Sequence, residues 1–387
     1  MSDRAPAGGD RHGLLLISPE LAPRDVGGVG AWADDLGAAL ERYGQRPLVA
    51  APARGGARPA AAYAIAGMLG HRWSAWGAAW AGLAALGLRA RCAPEAPLLA
   101  ATWPMAARAA ALWPGPLLVA CHGSELTALA QAPPALRALD RRAVFLPVSA
   151  YLEGELRRLG LGAPAHRLPM ALGSAPAPAD RPGRALVVMA RPTANKGLHH
   201  AVVLAAGLGR PLWVVGSTAA QLQARCAGTP AAEAARTAAA AAPADLLPGE
   251  PGAPATGPRI VCFGPLPRHA ARALLPRAAA AALLPEADPD GRRAEGLGLA
   301  LLEAAAAGLP GLALPVGGAA EAVGPGRCLP APLAWTPGLF DEINAYIDDP
   351  EAGAAAWRWV RGAHSPALAV EALQGAVVEA RRRWAGG

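Results

Sequence analysis

A short apolar run, a turn and an amphipathic helix follow one another along this chain, and the series is begun twice. Strands that are apolar throughout are buried on both faces, which requires a parallel sheet with helices on either side. Leu14–Ser18 is such a run, the turn to Gly30 is rich in Gly and Pro, and Ala31–Tyr43 is an amphipathic helix stopped by Gly44. Pro47–Ala51, Leu98–Thr102, Leu117–Cys121 and Val144–Ser149 continue the strands. A linker dense in Ala and Pro, Ala171–Pro182, intervenes. Ala185–Ala190, Leu212–Gly216, Arg259–Phe263, Ala281–Pro285 and Gly311–Pro315 then repeat the pattern, while Ala219–Pro258 reads as one helix and a disordered loop. The pattern predicts an α/β chain of two Rossmann-like, doubly wound domains facing a cleft, with ligands at the carboxyl ends of the strands. The expected boundaries are 1–173 and 183–364, with a helix at 365–387 crossing back to the first domain.

Composition narrows the class. The 387 residues are 53% hydrophobic, yet Tyr totals 4, Phe 3 and Met 5, so the core must come from Leu, Val, Ala and the 11 Trp. The Cys (Cys92, Cys121, Cys226, Cys262, Cys328) are scattered and odd in number, which fits a reducing compartment better than a disulfide framework or a zinc module. Met1–Arg11 has no apolar stretch of the secretory kind. The least polar stretch, Trp73–Leu88, is interrupted and shorter than the roughly 20 residues that span a bilayer. A cytoplasmic location follows as the expectation. The net charge of +7 comes from dispersed arginines without a nucleic-acid-binding signature, so nucleic acid is not an expected partner. Among the 36 Lys and Arg there is a single lysine, Lys196.

Four segments carry possible chemistry. Val26-Gly27-Gly28-Val29-Gly30 lies between a strand and a helix, where bare amides and the helix dipole favour an anion; without a full G-x-G-x-x-G a dinucleotide is disfavoured, and a simple tight turn remains an equal reading. Arg191-Pro-Thr-Ala-Asn-Lys196-Gly197 puts a fork and a point charge on a strand-to-helix loop, a suitable clamp for a diphosphate. A lysine kept where the chain otherwise uses arginine argues against an ordinary solvated loop. Glu295-Gly-Leu-Gly298-Leu299-Ala-Leu-Leu-Glu303 opens an apolar helix, and Glu303 within it needs either ligand hydroxyls or a structural Arg. His122-Gly-Ser124-Glu125 ends a strand without the nucleophile elbow of a hydrolase, so His122 is either structural or a cleft residue. Glu286, Asp288 and Asp290 form an acidic loop read as solvated, and no metal is expected.

With these segments in order, the chain resembles the retaining, nucleotide-sugar-dependent glycosyltransferases of the GT-B fold, in particular glycosyltransferase family 4, from Leu14 to about Val323. The resemblance rests on Arg191 to Gly197 and on Glu295 to Glu303 with Gly308-Leu309-Pro310 after it. It implies that Arg191 and Lys196 bind the donor diphosphate, assisted by amides around Gly298 and Leu299, and that Glu303 binds ribose hydroxyls. It implies further that Glu295 contacts the donor sugar, that His122 lies near the anomeric centre as the second catalytic residue, and that Gly27 and Gly28 meet a phosphate or the acceptor. Phe263-Gly264-Pro265-Leu266 corresponds to the backbone that holds the nucleobase. Among subgroups, His122-Gly-Ser-Glu and Ala294-Glu-Gly-Leu-Gly are most similar to mannosyltransferases of the phosphatidylinositol mannoside type. The implied partners are a UDP-, GDP- or ADP-linked sugar and a glycan, lipid or small-molecule hydroxyl, with no cofactor.

Two departures stand out. The family's glycine before the arginine is Ala190, and its asparagine-glycine-valine-aspartate turn is Pro169-Met170-Ala171-Leu172-Gly173 here, which leaves a non-catalytic sugar-nucleotide-binding relative as the alternative. Trp73, Trp76 and Trp80 share a helical face beside Arg72, Arg89 and Arg91, which suits either peripheral contact with an anionic membrane or packing into the first domain.

Overall fold

The computed structural model describes residues 11–20, 27–53, 62–66, 84–123, 125–173, 183–240, 260–287 and 294–386. Trp73, Trp76, Trp80, Arg72, Ser124, Asp288, Asp290 and most of the expected linker lie outside them. The chain divides into two compact units, Met1–Gly173 with His364–Gly387, and Ser174–Ala363.

The first unit is built on six strands: β1 (Leu14–Ile17), β2 (Pro47–Ala53), β3 (Ala62–Ala66), β4 (Leu98–Ala100), β5 (Leu117–Cys121) and β6 (Ala143–Pro147). Their order is β3-β2-β1-β4-β5-β6, every pairing parallel. β1, β4, β5 and β6 are buried along their whole lengths, as runs of Leu, Val and Ala must be when helices cover both faces. Each Leu placed there contributes about 1.5–3 kcal/mol by leaving water. The helix Gly28–Arg42 buries Trp32, Leu36 and Leu40 on this sheet. The terminal helix Pro366–Gly386 belongs to the same unit, where it packs on Gly28–Arg42 and β6 and donates from Arg383 Nη2 to the Asp140 carbonyl at 2.6 Å.

The second unit repeats the plan with seven strands: β7 (Leu186–Met189), β8 (Leu212–Val215), β9 (Ala239–Ala240), β10 (Ile260–Gly264), β11 (Ala280–Leu283), β12 (Gly311–Ala313) and β13 (Arg327–Cys328). They are ordered β13-β12-β11-β7-β8-β10-β9, again parallel throughout. Its core joins Leu186 and Val188 to Val202, Leu204, Leu212, Val214, Ile260 and Ile343. In both sheets the chain starts in the middle and winds outward in each direction, and the reversal separates the loops after two adjacent strands. In the second sheet those strands are β7 and β11.

The segment Ala219–Pro258 holds more structure than its composition announces. A capping box between Thr218 and Gln221 starts the helix Ala219–Cys226, a second helix covers Ala232–Ala235, and β9 adds an edge to β10; residues 241–259 are outside the described part. The edge strands β3, β9 and β13 go unread in the sequence: β3 and β9 are mostly alanine, a residue with little strand preference, and β9 and β13 are only 2 residues each.

The turn that departs from the family pattern is a buried element. Met170, Ala171 and Leu172 are in the core of the first unit, and the Met170 N–H donates to His364 Nδ1 at 3.2 Å. That bond needs an unprotonated nitrogen, and burial lowers the His364 pKa to about 4. An unfolded imidazole titrates near 6.5, so between about 6.5 and 4 the unfolded state binds more protons and stability is lost as pH falls. We predict that His364→Leu lowers the unfolding free energy by about 1–3 kcal/mol at pH 7, the cost of an unpaired buried amide, and flattens the acid limb of stability. Chemical denaturation across that pH range is the check; an unchanged slope would contradict the role.

Candidate functional site

The loops after β7 and β11 meet at the reversal of the second sheet. After β7, Ala194–Lys196 forms a turn of 3-10 helix and Gly197 passes through the left-handed region at φ 57°, from which the helix Leu198–Leu208 departs. A Cβ on Gly197 would stand 1.7 Å from the Leu284 carbonyl oxygen, so glycine is required both by the turn and by the approach of the strand behind it. Glu286 N–H donates to the Asn195 carbonyl at 3.1 Å, which fastens the two loops together.

The outcome is an ion pair between Lys196 Nζ and Glu295 Oε2, made across 99 residues of sequence by side chains that are 21% and 11% exposed. Partial burial makes the pair stronger than a surface one, and each partner would be costly to leave alone. The Glu295 carbonyl accepts from Gly318 N–H at 2.7 Å, so the turn after β12 also positions this residue. Arg191 stands exposed at the rim of the same loop and, among the described residues, has no ion-pair partner.

Gly298, at φ 100°, is the N-cap of the helix Leu299–Ala306, with no side-chain cap among the described residues; Leu299 and Ala300 are partly open at that end. Glu303 is one turn further along and buried. Its Oε1 accepts from Arg268 Nε at 2.6 Å and Arg272 Nε at 3.0 Å. Of the two partners open to Glu303 on sequence grounds, the structure supplies the arginine, twice. Both come from the helix Arg268–Leu274, which starts just after Leu266; Leu266 is half-buried on the loop leaving β10. Arg268 and Arg272 carry no motif, and only the fold brings them within reach of Glu303.

The remaining expected residues lie in the first unit. His122 follows β5 with its ring edge-on to Trp32 at 4.6 Å between centroids. Among the described residues its buried Nε2 has no hydrogen-bond partner, and burial lowers its pKa to about 4, so the ring is neutral at pH 7. The His122 and Gly123 amides both donate to Glu125 Oε1, the second at 3.0 Å, and burial raises the Glu125 carboxyl. At the first glycine loop, Gly30 N–H donates to Glu20 Oε1 at 3.1 Å, and a Cβ on Gly27 would meet the same carboxylate at 2.2 Å. The anion that suits this helix end is thus one of the chain's own, which the motif alone does not reveal; Gly28 has open space beside it.

The second unit brings together Arg191, Lys196, Glu295, Gly298, Leu299 and Glu303 around the ends of β7 and β11, with Leu266 on the loop after β10, the strand beyond β8. Two parallel doubly wound sheets with this strand order and these helices constitute the GT-B fold of glycosyltransferases. No protein-family model matches the chain, and no curated protein matches it in sequence. Solved structures do. HepE of Anabaena, crystallised in complex with UDP and glucose, is similar with a TM-score of 0.66 at 14% identity, over 95% of this chain and 100% of that one. WaaG, a glycosyltransferase involved in lipopolysaccharide biosynthesis, has a TM-score of 0.63 at 14% identity, over 93% and 98%. AviGT4, a glycosyltransferase involved in avilamycin A biosynthesis, has 0.62 at 14% identity, over 97% and 99%.

The Glu303 cluster makes a direct prediction. Glu303→Gln removes the charge that two guanidinium groups share and should cost on the order of 1–3 kcal/mol in urea unfolding. Arg272→Gln should cost less than about 1 kcal/mol, because Arg272 is 37% exposed and water screens its share. Equal losses for the two variants would show that Glu303 is not held this way.

Proposed function

We propose that this protein is a retaining glycosyltransferase of family 4 that transfers a hexose from a nucleoside-diphosphate sugar to a hydroxyl of a glycan, lipid or small molecule. The observation that carries the reading is the pairing of Lys196 with Glu295 at the switch point of the second sheet. An open α/β sheet binds its ligand at that point, outside the carboxyl ends of its strands. A cation to hold phosphate and a carboxylate to hold sugar hydroxyls therefore stand where a donor would lie.

On this reading the diphosphate is bound by Lys196, by Arg191 as a two-pronged clamp, and by the amides at Gly298 and Leu299. Lys196 turns from Glu295 toward the phosphates when the donor arrives, and the released carboxylate accepts hydrogen bonds from the sugar. Glu303, fixed by Arg268 and Arg272, retains acceptor capacity for the ribose, and the backbone before Leu266 faces the base. The leaving diphosphate gains negative charge in the transition state, and preorganised charges and helix amides stabilise it without a covalent intermediate. Transfer occurs on the face the leaving group departs from, so configuration is retained and no protein nucleophile is needed. His122, neutral in its buried setting, would lie near the anomeric centre on this reading. UDP is the first nucleotide to test, since HepE was crystallised with it.

A panel of UDP-, GDP- and ADP-sugars in a thermal-shift assay, followed by turnover of any binder, tests the proposal. With the cognate donor, Lys196→Ala should reduce turnover on the order of 10²-fold or more, the usual loss when one preorganised charge is removed. Unchanged turnover would overturn the assignment of Lys196, and binding without turnover would favour a non-catalytic sugar-nucleotide-binding protein.

A further inference from the structure

We propose that His199, His200 and Glu286 form a binding site for one divalent transition-metal ion, with zinc the best fit. His199 and His200 are the second and third residues of the helix Leu198–Leu208, and Glu286 lies on the loop after β11. Glu286 Oε1 is 3.4 Å from His199 Nε2 and 3.1 Å from His200 Nε2, and one ligand atom from each of the three lies within 4.8 Å of the others. A tetrahedral ion with ligands at about 2.0–2.1 Å sets them about 3.4 Å apart, so the His199–Glu286 edge at 3.4 Å already has that length and the His200–Glu286 edge at 3.1 Å is close to it. Two imidazoles and one carboxylate are a borderline-soft donor set that suits zinc and its neighbours rather than calcium or magnesium. All three residues are half-buried, which leaves the remaining coordination position open to water.

The scaffold holds the ligands before any ion arrives. Gly197 lies against the Leu284 carbonyl, and the Glu286 amide is bonded to Asn195, so the helix start and the loop cannot separate without breaking both contacts. The two imidazole rings lie 4.0 Å apart between centroids, and His200 faces Trp335 at 6.3 Å. Trp335 is itself stacked on Phe340, which limits the room for His200 to swing away. The helix N-terminus works against a cation. The Lys196 charge is already neutralised by Glu295, and Glu286 supplies the negative charge on this side. An ion here would brace the loop after β11 against the helix that follows Lys196, a structural role independent of how the sugar donor is held.

The test uses the full chain, freed of metal by a chelator and titrated with cobalt(II) while visible absorption is recorded. One equivalent should bind with the ligand-field bands of a four- or five-coordinate site, zinc should displace it, and zinc should raise the melting temperature. Removing a ligand should cost at least what loss of an outer-sphere partner costs, about 10–100-fold in affinity, in His200→Asn and in Glu286→Gln. His269→Asn, at an exposed histidine elsewhere in the unit, should leave the titration unchanged. A His199→Asn/His200→Asn variant that melts like the metal-free protein yet binds cobalt as tightly as the unaltered chain would overturn the proposal. So would the absence of any cobalt band in the unaltered chain.

Discussion

The ion pair between Lys196 and Glu295 depends on almost every feature of the second unit, and the proposed chemistry depends on it in turn. The two residues reach each other only because β7 and β11 are neighbours in a sheet whose winding reverses between them. That adjacency needs a continuous apolar core, which Leu, Val and Ala supply at nearly every strand position. It also needs turns that bring backbones into contact, at Gly197 against Leu284 and at Gly318 against Glu295. An opposite pair held half out of water stores a preference for charge at this spot, since either partner alone would be poorly solvated. A phosphate group can replace the carboxylate as the lysine's partner, and hydroxyls can then satisfy the carboxylate, so the site exchanges one compensated arrangement for another.

Around this pair, the buried carboxylate of Glu303 shows how the same unit secures a charge deep in an apolar helix. Two guanidinium groups from the helix after β10 converge on one oxygen, so Glu303 does not depend on a ligand for its folding. For the proposed function this means preorganisation: a carboxylate whose orientation is set in advance would lose little freedom on receiving hydroxyls. The first unit solves the analogous problem locally, with Glu20 at the N-terminus of the helix Gly28–Arg42 and Glu125 under the amides of His122 and Gly123. Each of these carboxylates lies where helix or loop amides converge, which is the inexpensive way to accommodate negative charge near a core.

Much of this was legible in the sequence, and the reasons are physical. Continuous runs such as Leu14–Ile17 and Leu212–Val215 read as strands because parallel sheets are buried on both faces, and the order of runs and helices carries the doubly wound topology. Lys196 was conspicuous because the chain uses arginine everywhere else. Three kinds of feature were not legible. The strands β3 and β9 are mostly alanine, and β9 and β13 are 2 residues each, too little to show periodicity. The partners of Glu303 come from a helix whose arginines look like any others in an arginine-rich chain. Glu286 is 86 residues beyond the adjacent pair His199-His200 and meets it only through the β7–β11 adjacency; in sequence, Glu286 read as part of a solvated acidic loop with Asp288 and Asp290.

Because Lys196 is the only lysine, its amine can be followed alone by mass spectrometry after treatment with an amine-selective acylating reagent, with the N-terminal amine as an internal standard. If Lys196 clamps the diphosphate of a nucleotide sugar, saturating cognate UDP-, GDP- or ADP-sugar should slow its acylation while the N-terminus reacts as before. Equal rates at Lys196 with and without every donor tested would contradict the central claim.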